Sequence, residues 1–342
     1  MYLKKDILFA ARLIFSPYYF LIILLSFIKI KFFNGNISEK EYQAMINLFL
    51  ISNGRSNDLF HKFLKKKINI ENSQNLNNDN VKSVVSDLNE KGYYVKENYI
   101  SSNDCLSILN QSYEIEGYYK LDNNPDISNY KKKFDRQNPK GTMFSYEESA
   151  LLNIKEIQDI ISNPFLTNIA TDYFEGLPIL SAVNMWWSTK FKDTPDSECA
   201  QKFHFDMDSL KWLKFFIYIT DVKKKNGPHT FVTGSHKVNS FPYQIRKAGY
   251  SRIDDYVVIN KFGASNLIEF DKPAGTLIVE DTKGLHKGKN VEEGDRLLLT
   301  IEFTSTKFIK NTNRKILNKS ISNKFLNFYK KNNYLMQFYE IN

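Results

Sequence analysis

The 342-residue sequence predicts a mainly β core of barrel or sandwich type, with flanking α-helices and basic helical extensions at both ends. Three observations predict it. From Leu177 onward, short apolar runs are broken by Gly, Pro, Asn and Asp, the pattern of many strands at close spacing. Upstream of Leu177, apolar residues recur at helical spacing instead. Aromatics make up 15% of the chain, with 27 Phe and 20 Tyr, and these residues suit strands and pockets. The length allows one large core with additions, and no internal repeat is visible.

Residues 1–35 form an apolar and basic segment. Lys4, Lys5 and Arg12 precede an apolar stretch from Leu13 to Ile28 that contains Pro17, and Lys29 and Lys31 follow it. A spanning helix needs about 20 apolar residues, which this stretch does not reach. No small-residue cleavage site follows, which argues against a secretory signal. The placements left open are flat in a membrane interface, dipping into one leaflet, packed on the protein itself, or a short span. The expected location is cytoplasmic, with the first of these making it peripheral to a membrane.

Residues 36–80 read as a helical extension followed by an Asn-rich linker. Ser38 with Glu39 and Glu41 is a plausible helix start, Asn53-Gly54 a break, and residues 69–80 hold six Asn. The main domain is expected over 81–306. It opens with an amphipathic helix from Val81 to Lys91, stopped by Gly92, and a short strand at Tyr93–Val95. A helix capped near Ser101 follows, then an irregular polar stretch over 120–145, then helical periodicity from Ala150 to Phe174. Strands are expected at Ile179–Ser188, Ala200–Met207, Leu213–Thr220, Thr230–Val232, Leu267–Phe270, Gly275–Glu280 and Arg296–Thr304. Residues 307–342 read as a basic helical C-terminal arm.

Charge divides along the same lines. The whole chain carries +9, of which residues 1–67 carry +7 and residues 307–342 carry +7, leaving the middle at −5. Basic ends on an acidic core suit an anionic surface; the acidic surroundings of the central motif argue against nucleic acid. Two cysteines, Cys105 and Cys199, build neither a disulfide framework nor a thiolate metal site, and both read as ordinary residues.

The chemistry lies in Gln201-Lys202-Phe203-His204-Phe205-Asp206-Met207-Asp208. On a strand, His204, Asp206 and Asp208 share one face while Phe203, Phe205 and Met207 take the other. A His and a carboxylate two apart are two-thirds of a facial metal site, the arrangement of two His and one carboxylate that leaves three positions of an octahedral Fe(II) open. His286, just past the apolar strand Thr276–Val279, is the candidate third ligand. Ten residues later, Arg296 opens another strand, and its planar fork suits a carboxylate bidentately. Of the other histidines, His61 reads as a surface residue, and His229 and His236 as structural or pocket-lining.

From about Val81 to Thr304, the chain resembles the phytanoyl-CoA dioxygenase family of Fe(II)/2-oxoglutarate-dependent oxygenases. The resemblance is carried by His204-Phe205-Asp206, the strand Leu213–Val222, the loop Gly227-Pro228…Gly234-Ser235-His236, Gly284-Leu285-His286-Lys287-Gly288, and Arg296. It implies a double-stranded β-helix of the jelly-roll or cupin-like kind, with His204, Asp206 and His286 holding Fe(II). It implies 2-oxoglutarate as cosubstrate, with Arg296 on its far carboxylate, and conversion of 2-oxoglutarate and O2 to succinate and CO2. Related halogenases lack the carboxylate, so Asp206 argues for hydroxylation or another oxidation and against halogenation. Asn184, Gln201 and Tyr218 are further candidates to touch cosubstrate or substrate, with Trp186, Lys214 and Asp208 nearby. The expected substrate is a small molecule or a lipid-linked one. The competing class is a non-catalytic protein of the same fold that binds a ligand or a membrane partner.

Overall fold

Within the computed structural model, the described residues are 2–33, 37–67, 79–120, 131–309, 315–317 and 320–341. The chain runs through α1 (Tyr2–Ile14), α2 (Ser16–Phe33), α3 (Glu39–Ser52), α4 (Arg55–Leu64), α5 (Asp79–Lys91), β1 (Tyr93–Lys96), α6 (Ser102–Glu114), β2 (Gly117–Lys120) and β3 (Met143–Tyr146). It continues with α7 (Glu148–Leu151), α8 (Lys155–Ile161), α9 (Pro164–Phe174), β4 (Ile179–Thr189), β5 (Trp212–Tyr218), β6 (His229–Val232), α10 (Tyr243–Ala248) and α11 (Asp255–Phe262). It ends with β7 (Leu267–Glu269), β8 (Leu277–Glu280), β9 (His286–Gly288), β10 (Asp295–Thr304), β11 (Lys315–Leu317), α12 (Asn323–Lys331) and β12 (Tyr339–Ile341).

Seven strands form one antiparallel sheet in the order β1-β8-β5-β10-β4-β3-β2, and three form a smaller antiparallel sheet, β7-β6-β9. Side chains alternate across a strand, so each central strand serves two environments. Leu213, Phe215 and Ile217 of β5, with Leu297, Leu299, Ile301 and Phe303 of β10, pack on one side against α5, α8 and α9. Phe216, Tyr218, Ile278 and Leu298 point the other way, against Phe231 of the small sheet and Phe270 just past β7. The large sheet is therefore covered by helices on one face and by a second sheet on the other, and the functional site lies between the sheets.

The segment 36–80 is helical where described. At its start Ser38 and Glu41 cap α3 reciprocally, each side chain bonding the other's backbone N–H, as the sequence pattern implied. Buried residues of α3 pack with α2 and Phe60 against Phe203, Phe205, Met207 and Leu285. The helical extension thus forms the outer wall of the metal-motif segment. Of the Asn-rich stretch, residues 69–78 lie outside the described residues, and Asp79 and Asn80 open α5.

Three expectations are corrected. Among its described residues the C-terminal arm is helical only over α12; β11 and β12 pair in parallel, and Phe325, Leu335, Met336, Phe338 and Tyr339 are buried in the helix-side core. Its many lysines mask an apolar face that needs a partner, and the core supplies one. The polar stretch 120–145 ends in β3, which pairs with β4. His61 is buried rather than superficial: one ring nitrogen meets Ser305 Oγ at 2.9 Å and Nε2 donates to the Phe174 carbonyl at 3.1 Å. Burial pushes its pKa down to about 3, so it is a neutral tie between α4 and the core.

The apolar N-terminal stretch falls on two helices. Phe9, Ile23, Phe27 and Ile30 are buried inward, while a row of larger side chains stands outward. Among the described residues, no single helix is long and apolar enough to cross a membrane.

Candidate active site

His204 and His286 face each other across an antiparallel bridge, exchanging backbone hydrogen bonds of 3.0 and 2.9 Å. Their rings lie 4.3 Å apart. Asp206 joins them, with carboxylate oxygens 3.8 Å from His204 Nε2 and 3.4 Å from His286 Nε2. One ligand atom from each of the three lies within 4.8 Å of the others, the spacing of a set that could hold a metal ion.

The expected strand Ala200–Met207 is not a regular strand. Only two bridges form, Phe203 to Ile253 and His204 to His286, because the neighbours are a three-residue β9 and an irregular loop. The alternation survives nonetheless. Phe203, Phe205 and Met207 are fully buried against the α3 side, with Phe49 stacked 5.7 Å from Phe205, and this anchoring turns His204 and Asp206 to the cavity.

Each imidazole is also oriented from behind. His204 Nδ1 lies 3.0 Å from the Lys202 carbonyl, and His286 Nδ1 lies 2.9 Å from the Gly284 carbonyl. A carbonyl only accepts, so each Nδ1 carries a hydrogen, which leaves Nε2 of each ring as the ligand atom facing Asp206. The electrostatics match. Burial alone would raise the Asp206 carboxyl, but Lys214 and the two imidazoles outweigh it and hold it well below the usual range. Burial, and then His286, drives His204 well below its ordinary value. Burial lowers His286 too, but Asp206 more than offsets it and leaves it raised. The trio therefore favours a positive charge among its three ligand atoms, a place that a divalent cation can take by displacing the proton.

The three open into a cavity of about 290 Å³, near the lower end of the roughly 300–1,000 Å³ usual for small-molecule sites. Arg296 reaches into it from β10 and is buried. Its guanidinium donates to the Gly227 carbonyl and, at 3.1 Å, to Ser188 Oγ, while Nε has no partner. No carboxylate among the described residues forms an ion pair with it. A buried cation without a counter-ion is costly, so the cavity is built to receive an anion. Gly288 makes room: a Cβ there would sit 2.8 Å from the guanidinium. Thr300 Oγ1, on the same wall, is also buried without a partner.

The other candidates divide. Asn184, Trp186 and Lys214 line the cavity. Lys214 bonds Asp206 at 2.7 Å and Asp208 at 2.8 Å, and lies 3.4 Å from Glu302. Asp208 is thus tied to Lys214. Gln201 is turned away: its Oε1 accepts from the Asp196 N–H at 2.7 Å and closes the 196–201 turn. Tyr218 is fully buried behind the wall. Its hydroxyl donates to the Phe270 carbonyl and accepts from the His229 N–H, both at 3.0 Å, and so it places His229.

Sequence reasoning left His229 undecided between structural and pocket-lining; the fold makes it a cavity wall, its ring 5.6 Å from His286 and Nε2 2.9 Å from Glu280. Cys199, read as ordinary, lines the cavity, as do Tyr118 from the edge strand β2 and Met143 and Ser145 from its neighbour β3. Strands of four residues leave little periodic signal, and nothing local in Cys199 marked it.

No family model matches the chain, and no curated protein matches it. Among solved structures, it is similar to the non-heme α-ketoglutarate-dependent epimerase SnoN of nogalamycin biosynthesis, at 13% identity and a TM-score of 0.47, over 66% of this chain and 84% of that one. HygX of Streptomyces hygroscopicus, crystallised with nickel, 2-oxoglutarate and hygromycin B, matches at 15% identity and a TM-score of 0.46, over 69% of this chain and 90% of that one. The α-ketoglutarate-dependent carbocyclase SnoK matches at 13% identity and 0.44, over 65% and 83%. At these values the likeness carries no conclusion about chemistry, which has to come from the geometry of the site.

Proposed function

We propose that this chain is an Fe(II)- and 2-oxoglutarate-dependent oxygenase of the phytanoyl-CoA dioxygenase type, hydroxylating a small-molecule substrate. The observation that carries the reading is a single cavity with an oriented His204–Asp206–His286 set on one wall and an unpaired, buried Arg296 on another. A metal site alone has many uses. A metal site facing a guanidinium without a counter-ion suits a chelating ligand with a distant carboxylate, which is what 2-oxoglutarate is.

The residues then have distinct tasks. His204, Asp206 and His286 would hold the iron on one face, and the iron would supply oxygen chemistry when bound. Arg296 binds and orients the cosubstrate's far carboxylate, helped by the free Thr300 hydroxyl. Lys214 keeps Asp206 ionised and so available as a ligand. Trp186 and Phe216 bound the cavity with apolar surface and exclude water beside the metal set, while Asn184 stands exposed on the wall where substrate would enter. Asp206 fills the carboxylate position, which supports hydroxylation over halogenation.

Anaerobic titration with Fe(II) and 2-oxoglutarate, followed by visible absorption, tests this. A weak charge-transfer band that needs both additions, and is absent in His204→Ala, is the expected result. A folded wild type that retains no iron and gives no band would overturn the oxygenase reading and leave a non-catalytic ligand-binding protein.

A further inference from the structure

Nineteen large apolar side chains stand exposed among the described residues, and eleven of them lie between Ile7 and Ile28. They form the outer surface of α1 and α2. On α2, Leu21, Leu24, Leu25 and Ile28 face outward at 45–56% exposure, while Ile23, Phe27 and Ile30 face inward. A helix that is apolar all round belongs in a protein core or in lipid. Here only the inner half has protein against it.

That inner half is firmly held. Phe27 packs 5.1 Å from Phe60 and 6.2 Å from Phe308, and Ser26 Oγ donates to Glu41 at 2.9 Å. On α1, Arg12 donates to Asn47 at 3.0 Å, and Asp6 accepts from Tyr243 at 2.8 Å and pairs with Lys247 at 3.0 Å. The helix pair is thus a fixed part of the fold, with its apolar side outward. α1 and α2 meet at a bend of 56°, too short singly to cross a bilayer yet able to lie along one.

The surroundings favour one kind of cover. Over α1 and α2 the sequence carries Lys4, Lys5, Arg12, Lys29 and Lys31 against Asp6, and Lys40 of α3 stands 5.2 Å over the Tyr18 ring. The patch continues through exposed Tyr243, Tyr250 and Tyr256, aromatic groups suited to a headgroup layer. A second copy of the chain would bring one basic rim against another. An anionic bilayer complements both the apolar face and its rim.

We propose that the outer face of α1 and α2 docks this protein, monotopically, on an anionic lipid surface. Docking would bring the active-site neighbourhood close to the bilayer. Tyr250 packs 5.4 Å from Phe205, and Ile253 bridges Phe203, so the segment beside α1 also backs the metal motif. The docking itself does not rest on the oxygenase reading.

The test uses the full chain in vesicle co-sedimentation, with phosphatidylcholine alone or mixed with phosphatidylglycerol, for wild type and Ile14→Asp/Leu21→Asp/Leu25→Asp. All three side chains are at least half exposed, so the variant is expected to fold, with circular dichroism and thermal melting as the check. Wild type is expected to bind the anionic vesicles about tenfold or more tightly than neutral ones, weakening with salt, and the variant to lose binding to both. Wild type that stays in solution with either composition overturns the proposal. So does a concentration-dependent dimer, seen by light scattering and abolished in the variant, when vesicles are not bound; the face would then be an interface between copies.

Discussion

The two faces of the large sheet are made by the same strands and yet differ in kind. Toward the helices, β5 and β10 present Leu213, Phe215, Ile217, Leu297, Leu299, Ile301 and Phe303, all fully buried and all apolar. Toward the small sheet, the same strands mix apolar Phe216, Tyr218 and Leu298 with the buried polar groups of Arg296, Thr300 and Glu302 and the half-buried Lys214. One face gains free energy from excluded water and close packing. The other spends some of that stability holding charges out of water, which is worthwhile only where a ligand completes them. The difference teaches that stability and chemistry are separated here by the two-residue period of a strand, so single substitutions should separate them too.

The largest effect is expected on the helix side. Phe303→Ala removes a buried ring packed 5.5 Å from Phe215 and should cost about 3–5 kcal/mol in denaturant unfolding. The folded remainder should bind Fe(II) as wild type does. Lost iron affinity without lost stability would break the separation of the faces.

On the cavity side, Arg296→Met should behave in the opposite way. Stability should hold or rise, because an unpaired buried charge is removed. 2-Oxoglutarate affinity, read from the iron charge-transfer band, should fall roughly 30–100-fold, the worth of about 2–3 kcal/mol of charge-assisted hydrogen bonding. Unchanged affinity would remove Arg296 from the cosubstrate site.

Lys214→Met sharpens the electrostatics. Burial would then raise the Asp206 carboxyl without its main opponent. Fe(II) affinity should fall, and fall further at pH 6 than at pH 8, because a proton then competes with the metal for a carboxylate that has lost its cationic partner. A loss independent of pH would mean that Lys214 acts only by packing.

The smallest effect concerns Glu280, whose carboxyl burial pushes up to about 8 from an ordinary 4.5. The folded state then binds a proton more tightly than the unfolded one. Its stabilisation is fully present below about 4.5 and is lost as pH rises through about 8. In metal-free protein, the melting temperature should decline over that window, and Glu280→Gln should decline by a few degrees less. Parallel curves for the two proteins would remove Glu280 as the cause.

Much of this was legible beforehand. β4, β5, β6, β7, β8 and β10 fall within two residues of the expected runs; β4, β5, β8 and β10 are central strands of the large sheet with long buried apolar runs, and the edge strand β7 is bracketed by polar residues and by Asp271-Lys272-Pro273. The pair His204 and Asp206 was legible from strand period, and His286 and Arg296 from their places beside apolar strands. What escaped depended on distant partners. His61 looks superficial on a short helix until Ser305 and Phe174 close over it. Gln201 looks ligand-facing until Asp196 captures its amide oxygen. Cys199, Tyr118 and Met143 reach the cavity only because β2, β3 and the 196–201 turn fold over its mouth.

The amino-acid sequence by itself determined the β core, the donor types for a metal, and an N-terminal stretch too apolar for water. These follow from local periodicity and from side-chain chemistry, which each residue carries with it. Only the tertiary structure decided that His204 and Asp206 meet His286, 82 residues beyond His204, that Arg296 has no counter-ion among the described residues, and that α1 and α2 keep one apolar side uncovered there. Those are statements about which surfaces meet, and surfaces meet through long-range packing that no local pattern encodes.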